Sequence, residues 1–274
     1  MLYTLPPEMV RRADTQELRD NFLLAGLFAQ GEIKLRVCEL DRVVVGGVVP
    51  TSGALELPAL KELACEYFCE RRELGVINLG GEGDVTVDGE TFSIGHCDAV
   101  YVSRGSKKVT FASKDNAKPA QFYLVSYPAH KEYPTKLVRH ADVEPRVLGQ
   151  KTTANCRKLY QLIVPGRADS CQLVMGFTKI EDGSVWNTMP PHTHLRRSEV
   201  YCYFDVSEGA LVFHFMGEPT ETRHLVMREK DAVLSPAWSI HSGAGTGPYS
   251  FVWAMGGENQ SFDDMDHCDL STLR

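Results

Sequence analysis

The sequence predicts an all-β protein of sandwich or barrel type, built from two similar modules with few short helices. Three observations carry this. Short alternating or β-branched runs recur at spacings of about 8 to 14 residues, with glycine and proline between them. No long helical pattern alternates with those runs, which argues against a doubly wound parallel sheet. Strings in the first half also return in the second, roughly 125 to 133 residues later. Arg71-Arg72-Glu73 precedes one β run as Arg196-Arg197-Ser198 precedes another, and Asp98-Ala99-Val100 matches Asp231-Ala232-Val233. The polar stretch 138–150 reads as the joint, giving modules over residues 1–150 and 151–274.

Each element has its own signal. Asp14, with Glu17 three residues on, is a capping box for a short helix through Leu18 and Phe22, closed near Gly26. A second helix is expected around residues 60–67. Strands are expected at 41–49, 75–81, 84–94 and 98–105, with Asp88-Gly89 as the two-residue turn of a hairpin. In the second half, 199–204, 210–216, 224–227 and 249–255 read as strands.

Charge narrows the function. The 274 residues hold 29 Lys and Arg against 36 Asp and Glu, a net charge of −7. Nucleic acids and acidic membranes want a basic surface, so neither is an expected partner. Positive contacts to an anionic ligand must be local. No run approaches about 18 consecutive apolar residues, and the first residues lack the pattern of a secretory signal. A cytoplasmic protein is expected. The eight cysteines contain no CxxC pair and read as small buried side chains.

The chemistry concentrates in residues 187–204, NTMPPHTHLRRSEVYCYF. His192 and His194 are two apart, so on a strand both leave one face. Glu199 opens the next β run and can return to the same spot. His241 follows the turn at Pro236 and precedes Gly243 and Gly245. Three neutral imidazoles and a carboxylate suit a divalent first-row metal, with positions left for water or substrate. An HxH pair alone is weak, since such a pair often faces solvent. The full ordered set carries the reading, because a metal site needs every ligand to converge.

The other candidates are weaker. In a regular strand Tyr201 and Tyr203 share the inward face with Glu199, either to meet substrate oxygens or as core aromatics. Arg196, Arg197 and Arg223 lie near the motifs and offer forks for a carboxylate, with surface ion pairing as the alternative. His214 reads as packing or support, and His96, His130, His140 and His224 as structural. The tail with Asp263, Asp264, Asp266 and His267 reads as a solvated chain end. GAGTG at 243–247 leads into Pro248 and a β run, not into a helix N-terminus, so it is no phosphate loop.

At this point a family likeness is visible. His192, His194, Glu199 and His241 resemble the two-motif metal signature of the cupins, whose fold is a small jelly-roll barrel. More narrowly, WNTMPPHTH, RRSEVYCYF, ETRHLVM, SPAWSIHSG and GGENQSFDDMDH are similar to the 5-keto-4-deoxyuronate isomerase family. RRELGVINLGG, VDGETFSIGHCDAVYV and PAHKEYPTK extend the likeness over nearly the whole chain. The resemblance implies a homohexameric bicupin with one divalent metal per chain, Zn2+, in the C-terminal module. It implies a metal-dependent aldose–ketose isomerase acting on a small anionic sugar in pectin and uronate degradation. The reaction implied converts 5-dehydro-4-deoxy-D-glucuronate to 3-deoxy-D-glycero-2,5-hexodiulosonate. Leu195 departs from the acidic or polar residue expected there, so no role of that side chain transfers.

Such a reaction moves a proton between adjacent carbons while a Lewis acid steadies the developing oxyanion. Glu199 is the carboxylate the motif offers as base, although a ligand is a compromised one, and a metal-activated water is the alternative. On the residues alone, an Fe(II) dioxygenase with the same ligands or a sugar-binding cupin without turnover stay open. In the first half the repeat sets Tyr67 and Cys69 opposite the paired histidines, Leu74 opposite Glu199 and Lys108 opposite His241. That module is therefore expected to close a barrel without a metal.

Overall fold

Tight turns and alternating burial build the elements of the computed structural model, which describes residues 1–274. Asp88 and Gly89 take φ of 49° and 94°, closing Gly83–Val87 onto Glu90–Ile94 with Val87 opposite Glu90. Positive φ at both turn positions matches the twist of the flanking strands. The Asp14 carboxylate accepts from the Glu17 amide, and the Glu17 carboxylate accepts from the Asp14 amide, starting the helix Thr15–Phe22. The helix ends at Phe22, ahead of Gly26, because Leu23–Leu24 already pairs with Ala232 and Val233.

The helix expected at 60–67 is a correction. Only the single 3-10 turn Lys61–Leu63 forms there. Leu60 brings no capping side chain and Ala64 turns left-handed at φ 46°. One turn fixes several dihedrals for too few hydrogen bonds to propagate.

The chain divides into two units that interleave in sequence. The first holds Met1–Leu2, Gly26–Glu144 and Gln161–Met175. The second holds Tyr3–Ala25, Pro145–Tyr160 and Gly176–Arg274. One cut near residue 150 therefore does not separate them, for two physical reasons. Leu23–Leu24 extends a sheet of the second unit. In the first unit the buried Glu73 carboxylate accepts from the amides of Cys171, Gln172 and Leu173 at 2.6, 2.8 and 2.8 Å.

The first unit has a six-stranded sheet in the order Lys136–Val138, Ala99–Val102, Arg72–Asn78, Phe122–Pro128, Val44–Val48, Ile33–Val37. A four-stranded sheet runs Leu55–Glu56, Val109–Ser113, Gly83–Val87, Glu90–Ile94. Leu74, Val76, Val100 and Leu124 from the first meet Val85, Phe111 and Ile94 from the second in one apolar core. A seven-stranded sheet drawn chiefly from the second unit repeats this order: Leu23–Leu24, Ala232–Ser235, Arg197–Phe204, Ser250–Gly257, Val174–Ile180, Arg157–Ile163, with Arg146–Leu148 added at the far edge. The four-stranded sheet of the second unit runs Trp186–Asn187, Ser242–Gly245, Val212–Glu218, Glu221–Met227. The internal repeat is thus a repeat of topology, two sandwiched sheets in each unit. All eight cysteines are free, four of them buried and four half-buried. No helix is long and apolar enough to cross a membrane.

Candidate metal centre

Short elements bring the four candidate ligands together. His192 sits in the two-residue strand His192–Thr193, paired with Asp266–His267, and His194 follows directly. Glu199 lies on Arg197–Phe204, between Ser235 and Met255 on the flanking strands. His241 stands between the turn at Pro236 and the strand Ser242–Gly245. All four are buried.

The donor atoms form a closed ring. His192 Nε2 lies 3.1 Å from His194 Nε2 and 3.0 Å from His241 Nε2. Glu199 Oε2 lies 3.1 Å from His194 Nε2 and 2.9 Å from His241 Nε2. Ligands about 2.1 Å from one ion stand roughly 3.0 Å apart along an octahedral edge and roughly 3.4 Å apart in a tetrahedron. At these spacings one divalent ion could meet all four donor atoms. His194 Nδ1 donates to the Asp264 carbonyl at 2.8 Å, so its Nε2 lone pair faces the ring. His241 Nδ1 stands 3.3 Å from the Ser235 hydroxyl. Facing lone pairs beside a buried carboxylate are the donor set a divalent cation requires, and the residues fit such an ion.

Electrostatics agree with that fit. Burial, followed by His241 and His194, pushes the His192 pKa down to about 2, so its imidazole is neutral. For Glu199 burial acts upward, but His241 and His194 outweigh it and hold the carboxyl well below the usual carboxylate range.

A cavity of about 240 Å³ opens on His192, His194 and Glu199. Its wall includes Arg146, Arg157, Thr178, Thr188, Tyr201 and His267, with Phe251, Trp253 and Met255 as apolar surface. Tyr201 shares a hydrogen bond with Thr188 Oγ1 at 3.1 Å, and burial and then the Glu199 charge raise its pKa well above the ordinary value. Tyr203 does not line the cavity. Its hydroxyl meets the buried His214 at Nδ1, 2.8 Å away.

The three arginines chosen from sequence lie elsewhere. Arg196 pairs with Asp264 and Asp266 at 2.7 and 2.9 Å. Arg197 is buried and donates to the carbonyls of Ser261, Phe262 and Asp264. Arg223 pairs with Glu221 and donates to the carbonyls of Thr222 and Arg11. None of the three lines the cavity. Arg146 and Arg157, which sequence reasoning missed, take that place. Arg146 pairs with Asp263 at 3.3 Å, whereas Arg157 donates to the Asn155 carbonyl at 2.8 Å and has no carboxylate partner. Burial lowers the Arg157 pKa. The available signal was strand phase: Arg157 shares the inward phase of its strand with the buried Leu159.

The tail is also a correction. It is no solvated end: Asp266–His267 is a strand, Asp264 holds both Arg196 and His194, and His267 lies on the cavity wall. In the first unit Leu74 pairs with Val102 as Glu199 pairs with Ser235, so the register confirms that match. Leu74 and Cys69 belong to the apolar core, and Lys108 pairs with Glu56 at 3.4 Å.

Known proteins share the chain's sequence and fold. The KduI/IolB family profile matches residues 26–270. A Lachnoclostridium phytofermentans protein named 4-deoxy-L-threo-5-hexosulose-uronate ketol-isomerase is 51% identical over 268 residues, covering 98% of this chain and 97% of its own. A Bacillus pumilus protein of the same name is 52% identical over 272 residues, 99% of this chain and 98% of its own. Among solved structures, an IolB-like protein from Salmonella typhimurium superposes with TM-score 0.70 at 15% identity, covering 88% of this chain and 94% of that one. Bacillus subtilis oxalate decarboxylase gives TM-score 0.58 at 11% identity, over 88% and 78% of the two chains. At those identities the structures speak for the all-β cupin fold alone.

Proposed function

The chain belongs to the KduI/IolB family, and we propose on that footing that it is a 4-deoxy-L-threo-5-hexosulose-uronate ketol-isomerase of uronate and pectin degradation. Identity of 51–52% to relatives of that name, end to end, is the observation that carries the reading. Glu199 and the three histidines would hold a divalent metal, Zn2+ in our reading, whose Lewis acidity polarises the carbonyl and the adjacent hydroxyl of the substrate. The isomerisation is internally balanced: a proton leaves the hydroxyl-bearing carbon, one returns to the former carbonyl carbon, and no redox partner is needed.

The chain's own residues divide that work. Arg157, with no carboxylate of its own, binds the substrate carboxylate from the cavity wall. Tyr201 stays protonated and donates to a substrate oxygen. Glu199 is committed to His194 and His241, which argues against it as the mobile base. His267, on the wall beside His192, is the imidazole outside the ligand set placed to carry the proton. Phe251, Trp253 and Met255 keep bulk water from the reacting carbons. Family resemblance supports a homohexamer and a cytoplasmic location as further parts of this reading.

The test is direct. Purified, metal-loaded protein is incubated with 5-dehydro-4-deoxy-D-glucuronate, without nucleotide, and the 3-deoxy-2,5-hexodiulosonate product is followed by chromatography. Conversion is expected. Absence of turnover with the metal stoichiometrically bound would refute the assignment.

A further inference from the structure

The first unit holds a cavity of about 290 Å³ that the isomerisation does not use. Arg72 lines it, with only 6% of its surface exposed. Its Nε donates to Ser126 Oγ at 3.1 Å, and its Nη2 donates to the carbonyls of Arg42 and Ser126 at 2.6 and 2.7 Å. All three acceptors are neutral. No carboxylate pairs with this guanidinium, and Nη1 has no protein acceptor although it is not sealed from the cavity. Burial accordingly lowers the Arg72 pKa to about 10. A buried charge without a counter-charge is costly and is rarely left so.

The internal repeat gives the contrast. Arg197 holds the equivalent strand position in the second unit, and there both terminal nitrogens are satisfied by the carbonyls of Ser261, Phe262 and Asp264. The negative charges of Glu199 and Asp264 stand nearby. Arg72 has neither. Two further cations reach its cavity instead. Arg42 lines it with no acidic partner, and Arg71 is fixed there by the carbonyls of Leu63 and Ala64 and by Glu70. Val37 and Phe68 supply apolar wall. Glu62 is the one carboxylate on the lining, and it is exposed and bonded to none of the arginines.

We propose that this cavity binds a small organic carboxylate of the sugar-acid class, its carboxyl group on Arg72 Nη1 and Arg42 and its carbon skeleton against Phe68 and Val37. An unfilled donor on a buried guanidinium calls for an anion. The apolar wall favours an organic acid over an inorganic one. The site belongs to the first unit and does not rest on the isomerase reading.

Calorimetric titration of the metal-loaded protein with D-glucuronate tests it, with sulfate as the second arm. Wild type is expected to bind one equivalent that Arg72→Met lacks, while kcat/KM stays within about twofold. Arg42→Ala, a surface change that leaves folding intact, is expected to weaken that equivalent roughly tenfold. Identical D-glucuronate binding by wild type and both variants would overturn the site, as would no binding by wild type. Sulfate binding there more tightly than D-glucuronate would overturn the organic-acid assignment. Binding that persists in a protein without isomerase turnover would leave this site standing and sink only the catalytic reading.

Discussion

Arg157 enters the cavity with most of its donors uncommitted, since only the Asn155 carbonyl accepts from it. Hydrogen bonds to a charged group are worth about 1.5–3 kcal/mol. Arg157→Leu is therefore expected to lower kcat/KM roughly 10- to 100-fold, chiefly through KM. Steady-state kinetics with an unchanged KM would exclude it as the carboxylate partner. His214 makes a different prediction. It is fully buried against Tyr203, and burial, with His241, lowers its pKa to about 3 against the opposing Glu199 charge. The unfolded side chain titrates near ~6.5. Between about pH 3 and 6.5 the unfolded chain thus holds a proton that the folded chain does not, and stability falls as pH drops. Urea unfolding of the metal-loaded protein at pH 7, 6 and 5 should show this slope reduced in His214→Phe, by up to about 1.4 kcal/mol per pH unit. Equal slopes would place the acid sensitivity elsewhere. His192, His194 and Glu199 were legible residue by residue as candidate ligands, because spacing two apart and a following β run are local facts. Arg157 was not, since nothing local ties it to histidines more than thirty residues away.

At the scale of elements, the tail from Asn259 to His267 supports the candidate metal centre. The Asp264 carbonyl orients His194, and Asp266–His267 pairs with the strand that carries His192. Partners that orient a ligand typically change metal affinity 10- to 100-fold when lost. Truncation after Gln260 is expected to weaken metal binding by about that range, with the far-UV circular dichroism of the sheets retained. Unchanged affinity in a competition titration would assign the tail a covering role only. Arg196 holds the Asp264 carboxyl below its usual range through a hydrogen bond, so this anchor exists above the ordinary carboxylate pKa and is lost as pH falls through the depressed value. The capped helix and the Asp88-Gly89 hairpin were readable because their causes lie within four residues. The 60–67 segment and the tail were not, because length decides the first and a distant arginine pair the second.

Across the whole molecule, two sandwiches of the same strand order carry opposite interiors at one position: Leu74 in the apolar core of the first unit, Glu199 in the second. Elemental analysis of purified protein should therefore find one tightly bound metal per chain, and His192→Ala or His241→Ala should strip it while the β signal persists. Two stoichiometric metals, or full retention in either variant, would contradict that assignment. The sequence by itself determined the all-β class, the duplication, the candidate quartet His192, His194, Glu199 and His241, and the family, since alternation, turn chemistry and motif order are written along the chain. Tertiary structure alone decided which arginines face the cavity, that the tail closes over His194, and that Tyr3–Ala25 and Gln161–Met175 cross into the opposite unit. Those outcomes depend on which strand edge is open for pairing and which buried carboxylate draws distant amides, as Glu73 draws those of Cys171–Leu173, and such needs are set by the folded surroundings.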